Sequence, residues 1–348
     1  ARNVASLAAN AGEGRPIMRE PHFWSVDLDP RSREAAPLSR FLLTPFAMLY
    51  GWSTARRLKT TTPTKVAIPV ICVGNLTAGG VGKSPIVGHV RKHLTEVADL
   101  RAATLSRGYK GRLKGPLKVT PAHSAQDVGD EPLMLAASGE SWIGADRAAA
   151  GTAMAEDGVE AIIMDDGHQN PGLHKDLSFV VIDAKARFGN GHVIPKGPLR
   201  ETIEAGLARA DAVIVVGSDD TPIELSNFTR PILHAYIQPT GSLAPHPYVA
   251  FAGIGRPEKM FDSLKTAGAE LRDAVPYPDH HEYSHSDIKY LKKLAADHGA
   301  KLITTEKDYA RLSPSEREGI LTFPVEVRFT QPEILHSLLA TALKDNLK

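Results

Sequence analysis

In the stretch "NLTAGGVGKSP", residues 75–85, a run of small and glycine residues leads directly into a lysine and a serine. Those residue types suit the binding of a polyphosphate. Gly79, Gly80 and Gly82 let backbone N–H groups curl around phosphate oxygens, and Thr77, Ala78 and Val81 complete the loop. Lys83 is placed to reach the β- and γ-phosphates, and the Ser84 hydroxyl to ligate Mg²⁺. The strict phosphate-loop pattern has glycine where Thr77 stands, but the Gly79–Gly80 pair can supply the unusual dihedrals instead. Pro85 falls in the first turn of the helix expected through "IVGHVRKHL", where a missing N–H costs little. A glycine turn with an incidental lysine is the bland alternative. An apolar strand before the loop and a helix after it favour the phosphate reading.

"AIIMDDGHQ" (161–169) is an apolar strand that ends in two carboxylates. Next to a polyphosphate, such a strand end supplies oxygen ligands, so one of Asp165 and Asp166 is expected to hold Mg²⁺. The Asn/Thr-Lys-x-Asp spacing that identifies guanine is absent, because "TTEKD" (304–308) sets Lys307 directly against Asp308. ATP is therefore expected over GTP. Four further polar strings fall in expected loops, where binding groups tend to sit: "SRGYKG" (106–111), "GDEP" (129–132), "GPLRE" (197–201) and "PDHHEY" (278–283). Individually they read as well as surface histidines or as a carboxylate pair at a helix N-terminus.

The elements that must position these groups alternate. The runs "VAIPVICVGN", "RAATLS", "EAIIMDD", "LSFVVIDA" and "DAVIVVG" are strand-like and separated by helical stretches. This pattern predicts an α/β fold of the P-loop NTPase type, a mainly parallel sheet with helices on both faces and ligands at the carboxyl ends of its strands. The kinase-type domain is expected over 18–230. A smaller α/β domain is expected over 231–329, with strands near "YVAFAGI", "AKLITT" and "FPVEVRF". A two-stranded hinge near 231–238 and 322–329 would join the two, and 330–348 would form a helix packing back on the first domain. Residues 1–17 are expected to be a disordered or non-native extension, with Met18 a natural start.

Basic and acidic residues nearly cancel, at 41 against 40, so no global field favours nucleic acid. Any anion site must be local. The single cysteine, Cys72, lies in an apolar run, which excludes an intramolecular disulfide and fits a reducing compartment. No segment reaches the roughly 20 apolar residues of a spanning helix. Residues 39–59, "SRFLLTPFAMLYGWSTARRLK", come nearest. The apolar part, Phe41 to Ala55, would be about 22 Å long as a helix, short of the roughly 30 Å hydrocarbon core. Arg40 at one end, Arg56, Arg57 and Lys59 at the other, and Tyr50 and Trp52 between them suit a membrane-interface helix. An ordinary buried helix is the competing reading.

In this order, "GNLTAGGVGKSP", "SRGYKG", "GDEP", "DDGHQ", "GPLRE", "FAGIGRPEKMF", "DHH" and "TTEKDYARL" resemble the tetraacyldisaccharide 4′-kinase family of lipid A biosynthesis, from Met18 onward. The resemblance implies transfer of the γ-phosphate of ATP, with Mg²⁺, to the 4′-hydroxyl of a membrane-embedded acylated glucosamine disaccharide 1-phosphate. It places the enzyme, expected as a monomer, at the cytoplasmic face of the inner membrane. By motif, Lys83 and Ser84 correspond to the phosphate and Mg²⁺ ligands and Asp165 with Asp166 to the acidic metal site. Asp130 resembles the base that accepts the sugar proton, and His280, with His281 beside it, the histidine that tunes it. Gln169, Arg200 and Glu201 match further positions in or near the site, and Ser84 stands where threonine is usual. The site is then expected in a cleft between two lobes that ATP draws together. Two rival readings are a P-loop ATPase switch acting on a protein partner and a soluble small-molecule kinase.

Overall fold

The computed structural model describes residues 21–25, 29, 32–217, 223, 225, 227–241 and 243–346, so the expected extension at 1–17 lies outside the described residues. Helix α1 (Pro37–Thr60) leads into β1 (Val70–Gly74), α2 (Lys83–Glu96), β2 (Ala102–Ser106), β3 (Leu117–Lys118), α3 (Ala125–Val128), α4 (Asp130–Ala136), β4 (Ser141–Ile143) and α5 (Arg147–Glu156). Then come β5 (Ala161–Asp165), β6 (Leu177–Asp183), α6 (Ile203–Ala208), β7 (Ala212–Val216) and β8 (Ile232–Pro239). The remainder is β9 (Pro247–Ala252), α7 (Pro257–Thr266), β10 (Glu270–Pro276), α8 (His285–Asp297), β11 (Lys301–Thr304), α9 (Glu306–Arg311), β12 (Ile320–Thr322), β13 (Val325–Phe329) and α10 (Pro332–Asn346).

A nine-stranded sheet in the order β13-β8-β7-β6-β1-β5-β2-β4-β3 forms the large unit, with only its edge pairs β13–β8 and β3–β4 antiparallel. β1 pairs in parallel with β5 on one side and β6 on the other, and every residue of all three strands is buried. Strands covered on both faces need unbroken apolar sequence, which is why these runs stand out. Their side chains alternate between the faces. Ile71, Val73, Ile163, Phe179 and Ile214 pack against Ile86, Val90 and Leu94 of α2 and Leu335 and Leu339 of α10. Cys72, Ile162 and Met164 pack on the opposite face against Ala150 and Met154 of α5. There burial pushes the Cys72 thiol up to about 11, leaving it an unreactive core residue.

A second sheet, in the order β10-β9-β11-β12, is parallel throughout and forms the small unit with α7, α8 and α9. One strand falls elsewhere than the sequence reading put it. The segments expected as a two-stranded hinge, 231–238 and 322–329, contain β8 and β13, which pair with each other and extend the large sheet through β7. "FPVEVRF" thus belongs to the large sheet. β10 fills the place in the small sheet, and its half-exposed, charged sequence "ELRDAVP" carries no apolar run to announce it.

Only Ala47 and Thr54 of α1 are buried. Leu38, Phe41, Leu42, Phe46, Met48, Leu49 and Trp52 are 57–73% exposed, so α1 is no buried core helix.

Gly74 ends β1 directly against His168, where an added Cβ would lie 2.5 Å from the histidine Cβ and 3.0 Å from its backbone nitrogen. Gly74→Ala should therefore lower stability by about 1–3 kcal/mol, since neither β1 nor the buried turn at His168 can retreat from a packed centre. Chemical denaturation measures this, and an unchanged midpoint would contradict the close approach.

Candidate active site

The loop after β1 is braced from below. Asn75, with no exposed surface, donates to the Thr77 carbonyl at 2.8 Å, Ala78 N–H donates to the Pro198 carbonyl at 2.7 Å, and Arg200 N–H donates to the Leu76 carbonyl at 2.7 Å. Thr77 forms an isolated bridge with Leu199 and has no need of glycine's freedom. Glycine is required one turn on, where Gly79 (φ 96°) and Gly82 (φ 83°) adopt the left-handed region. Gly82 caps α2, which opens with Lys83, Ser84 and Pro85, so the loop N–H groups and the helix N-terminus share one anion cradle.

Lys83 lies between Asn75 Oδ1 (3.0 Å) and Asp166 Oδ1 (3.2 Å). Arg200 Nη1 donates to both oxygens of Asp166, at 2.9 and 2.8 Å. Burial opposes the Asp166 charge, but Lys83 and Arg200 outweigh it and hold the carboxyl far below the usual carboxylate range. Its neighbour Asp165 behaves oppositely. It is 3% exposed, its Oδ1 has no hydrogen-bond partner, and burial, reinforced by the charges of Glu131 and Asp166, pushes its carboxyl up. Two adjacent carboxylates at the end of β5 thus carry divergent proton affinities, a signature of functional sites.

Asp130 opens α4 behind Gly129, whose φ of 90° and close approach to the Tyr109 carbonyl dock "GDEP" onto "SRGYKG". His280 Nδ1 donates to Asp130 Oδ2 at 2.8 Å, while His281 turns away to Asp287 Oδ2 at 3.2 Å. This settles which of the two histidines meets Asp130. Arg311 adds two further bonds to Asp130 Oδ2, from Nε at 2.8 Å and Nη2 at 2.6 Å. Burial would raise the Asp130 carboxyl, yet the His280 hydrogen bond and the charges of Arg311 and Lys307 hold it well below the usual range.

These contacts join the large unit to the small one. Lys307 pairs with Glu131 at 3.1 Å, and Asp183 at the end of β6 takes Arg256 at 3.1 Å and Lys259. A Cβ added to Gly255 would lie 3.7 Å from Gly80 N and 3.6 Å from Asp279 Oδ2, so the small unit's loops reach the phosphate loop itself. The structure therefore gathers Lys83, Ser84, Asp165, Asp166 and Arg200 at one strand edge, with the Asp130–His280 pair across the junction. Gln169 and Glu201 sit behind the loop. Gln169 Nε2 donates to the Asn75 carbonyl (2.8 Å) and Glu201 (3.0 Å), and Arg209 occupies both Glu201 oxygens at 2.7 and 2.8 Å. Glu201, 3% exposed, supports the site from within.

Sequence reasoning overlooked Asn75, Arg311, Asp183, Arg256 and Lys259. Asn75 stands in the opening string and Arg311 in "TTEKDYARL", but nothing local marks either as a partner of a distant charge.

A family model described as tetraacyldisaccharide-1-P 4′-kinase matches residues 39–344. A tetraacyldisaccharide 4′-kinase of Hyphomonas neptunium is 56% identical, covering 94% of this chain and 98% of its own. Another, from Maricaulis maris, is 47% identical, covering 92% and 96%. The crystal structure of LpxK from Aquifex aeolicus in complex with ATP aligns with a TM-score of 0.73 at 27% identity, covering 87% of this chain and 99% of that one.

The Asp130 carboxyl titrates lower in the folded than in the unfolded chain, so its contribution to stability is complete above the unfolded value of about 4. That contribution is lost as pH falls toward the lower folded value. Asp130→Asn should flatten the acid limb of the stability profile and lower stability at neutral pH by about 1–3 kcal/mol, because buried Arg311 loses a charged acceptor. Thermal unfolding across the acid range checks this, and equal acid slopes in both proteins would contradict it.

Proposed function

This chain belongs to the tetraacyldisaccharide-1-P 4′-kinase family and is an ATP-dependent kinase of lipid A biosynthesis, and from that premise we propose that Asp130 accepts the proton of the sugar hydroxyl while the phosphate loop holds the γ-phosphate it attacks. The observation that carries the reading is the 2.8 Å bond between Asp130 and His280 across the junction of the two units. A Cβ on Gly255 would lie within 4 Å of both Gly80 N and Asp279, the neighbour of His280, which ties the pair to the phosphate loop.

The acceptor is the 4′-hydroxyl of an acylated glucosamine disaccharide 1-phosphate. Its oxygen forms a bond to the γ-phosphorus as the bridging β,γ P–O bond breaks and ADP leaves, and its proton passes to Asp130. In a loose transition state the nucleophile keeps its proton until late, so even a carboxylate held at low proton affinity can receive it. His280 donates to Oδ2 of that carboxylate and tunes it. Backbone N–H groups of Gly79, Gly80, Val81 and Gly82, together with Lys83, offset charge on the transferring group, which is the larger part of the rate gain, while Thr77 and Ala78 brace the loop against Leu199 and Pro198.

The donor set fits Mg²⁺. Asp165 carries a buried oxygen with no hydrogen-bond partner, and Ser84 lies in the first turn of α2. Ser84, Asp165 and Asp166 would hold the ion, which when bound supplies positive charge against the phosphate oxygens. Arg200 fixes Asp166, and Gln169 with Glu201 supports the loop from behind.

Among the described residues no helix is long and apolar enough to cross a membrane. We assign α1 to the membrane interface at the cytoplasmic face of the inner membrane, where the lipid substrate resides, with the protein acting as a monomer. The support is an apolar surface of seven large, exposed side chains ending in the basic run Arg56, Arg57 and Lys59. ATP, bound between the units, would tighten the junction formed by the Asp130, Glu131 and Asp183 ion pairs.

Two measurements test this assignment. Asp130→Ala should lower kcat for transfer from labelled ATP to the lipid acceptor by at least 100-fold, with ATP affinity within about twofold. Equal losses in both would count against a base. Replacing Phe41, Leu42, Phe46 and Leu49 with serine should lower the vesicle-bound fraction at least tenfold without changing the melting temperature, since these side chains are exposed. Unchanged vesicle binding would remove α1 from the interface.

A further inference from the structure

Among the described residues, every hydrogen bond to the Asp130 side chain falls on one oxygen. His280 Nδ1 (2.8 Å), Arg311 Nε (2.8 Å) and Arg311 Nη2 (2.6 Å) all address Oδ2. Oδ1 receives none.

Arg311 is held in place for this contact. It ends α9, its side chain is 6% exposed, and its Nη1 donates to Asp308 Oδ1 at 2.6 Å and to the Gly253 carbonyl at 2.7 Å. Asp308, fully buried, is itself fixed by the Tyr283 hydroxyl at 3.0 Å and the Thr305 hydroxyl at 2.6 Å. A guanidinium gripped on two sides presents its remaining donors in one plane and one direction. A single bond from His280 would leave the carboxylate free to turn about Cβ–Cγ, and His280 sits on a loop residue with a φ of 59°. Two donors from a rigid group remove that freedom.

We infer that Arg311 is a positioning residue of the phosphoryl transfer: by anchoring Oδ2 it fixes the rotation of the Asp130 carboxylate and leaves Oδ1 to face the acceptor hydroxyl. The inference rests on Asp130 being the proton acceptor. Among the described residues Arg311 makes no hydrogen bond to the phosphate loop; it meets the proposed base directly at Asp130 Oδ2, and its Nη1 also holds the Gly253 carbonyl that accepts from the His280 N–H. Its position in the small unit also makes the aim of the carboxylate depend on the two units being joined. Lys307, which pairs with Glu131, and His280, with Asp279 beside it at 3.8 Å, also face this end of α4 from the small unit.

A double-mutant cycle on the full chain, assayed with ATP and lipid acceptor in mixed micelles, tests this. Arg311→Met should lower kcat 10- to 100-fold while leaving ATP affinity within twofold, and Arg311→Lys, which keeps the charge and one donor, should regain part of the loss. In an Asp130→Asn background, Arg311→Met should change kcat by less than twofold, because the group it aims is already gone. If the losses instead multiply while Asp130→Asn alone is severe, Arg311 acts elsewhere and the inference falls while the base assignment stands. A negligible effect of Asp130→Asn would remove the base assignment and the inference with it. Should Arg311→Met melt too early to assay, Arg311→Lys read in both backgrounds replaces it: a loss confined to the Asp130 background supports the inference, and equal losses in both overturn it.

Discussion

A carboxylate out of water must be paired, and the pairing of Asp130 governs how the two sheets meet. Its side chain is 9% exposed, and its partners Arg311 and His280 come from the other sheet's unit. Removing one member of such a buried pair typically costs several kcal/mol, more than any single surface contact supplies. Asp183 repeats the arrangement with Arg256 and Lys259 at the end of another strand. The junction is thus held by carboxylates of the large unit whose basic partners lie in the small one, and Asp130 with His280 is also the pair of the proposed reaction site. On the proposed function stability and chemistry share residues here, so substitutions at the junction report on both.

The phosphate side of the site is built differently, from backbone rather than from charge pairs. Left-handed glycines bend the loop, and Asn75, Thr77 and the 197–201 string hold it from below. Two non-glycine site residues, Asp166 and His280, also occupy the left-handed region, at φ 52° and 59°. Such conformations cost energy and persist where surrounding contacts enforce them. Lys83 and Arg200 do so for Asp166, and Asp130 for His280.

The parts legible in the sequence were those encoded locally. Buried parallel strands announce themselves as apolar runs, and the loop at 75–85 combines glycine spacing with a strand before and a helix after, so the α/β class follows from one-dimensional pattern. The carboxylate pair at 165–166 is readable because a strand end next to a phosphate loop has one obvious use. The Asp130–His280 pair is not readable that way, because 150 residues separate its members and only the resemblance to a known family joined them. Arg311 stayed hidden for the same reason. β10 was missed because an edge strand with a half-exposed face needs no apolar run, and β13 was read into the small sheet because sequence shows strands but not which sheet they join. For α1, composition left burial and exposure equally open; its placement on the outside of the fold decided between them. The rival readings, a protein-directed switch and a soluble small-molecule kinase, give way to the family match over residues 39–344.

The central claim is spatial: a triphosphate held by the loop at 75–84 and a sugar hydroxyl held at Asp130 must meet. A crystal structure with a non-hydrolysable ATP analogue and the lipid disaccharide tests it most directly. The account predicts the γ-phosphate against Lys83 and the 4′-oxygen within hydrogen-bond reach of Asp130 Oδ1, about 2.6–3.2 Å, in line with the bond to be broken. A bound acceptor whose 4′-oxygen faces the γ-phosphate but lies beyond reach of Asp130 would contradict it.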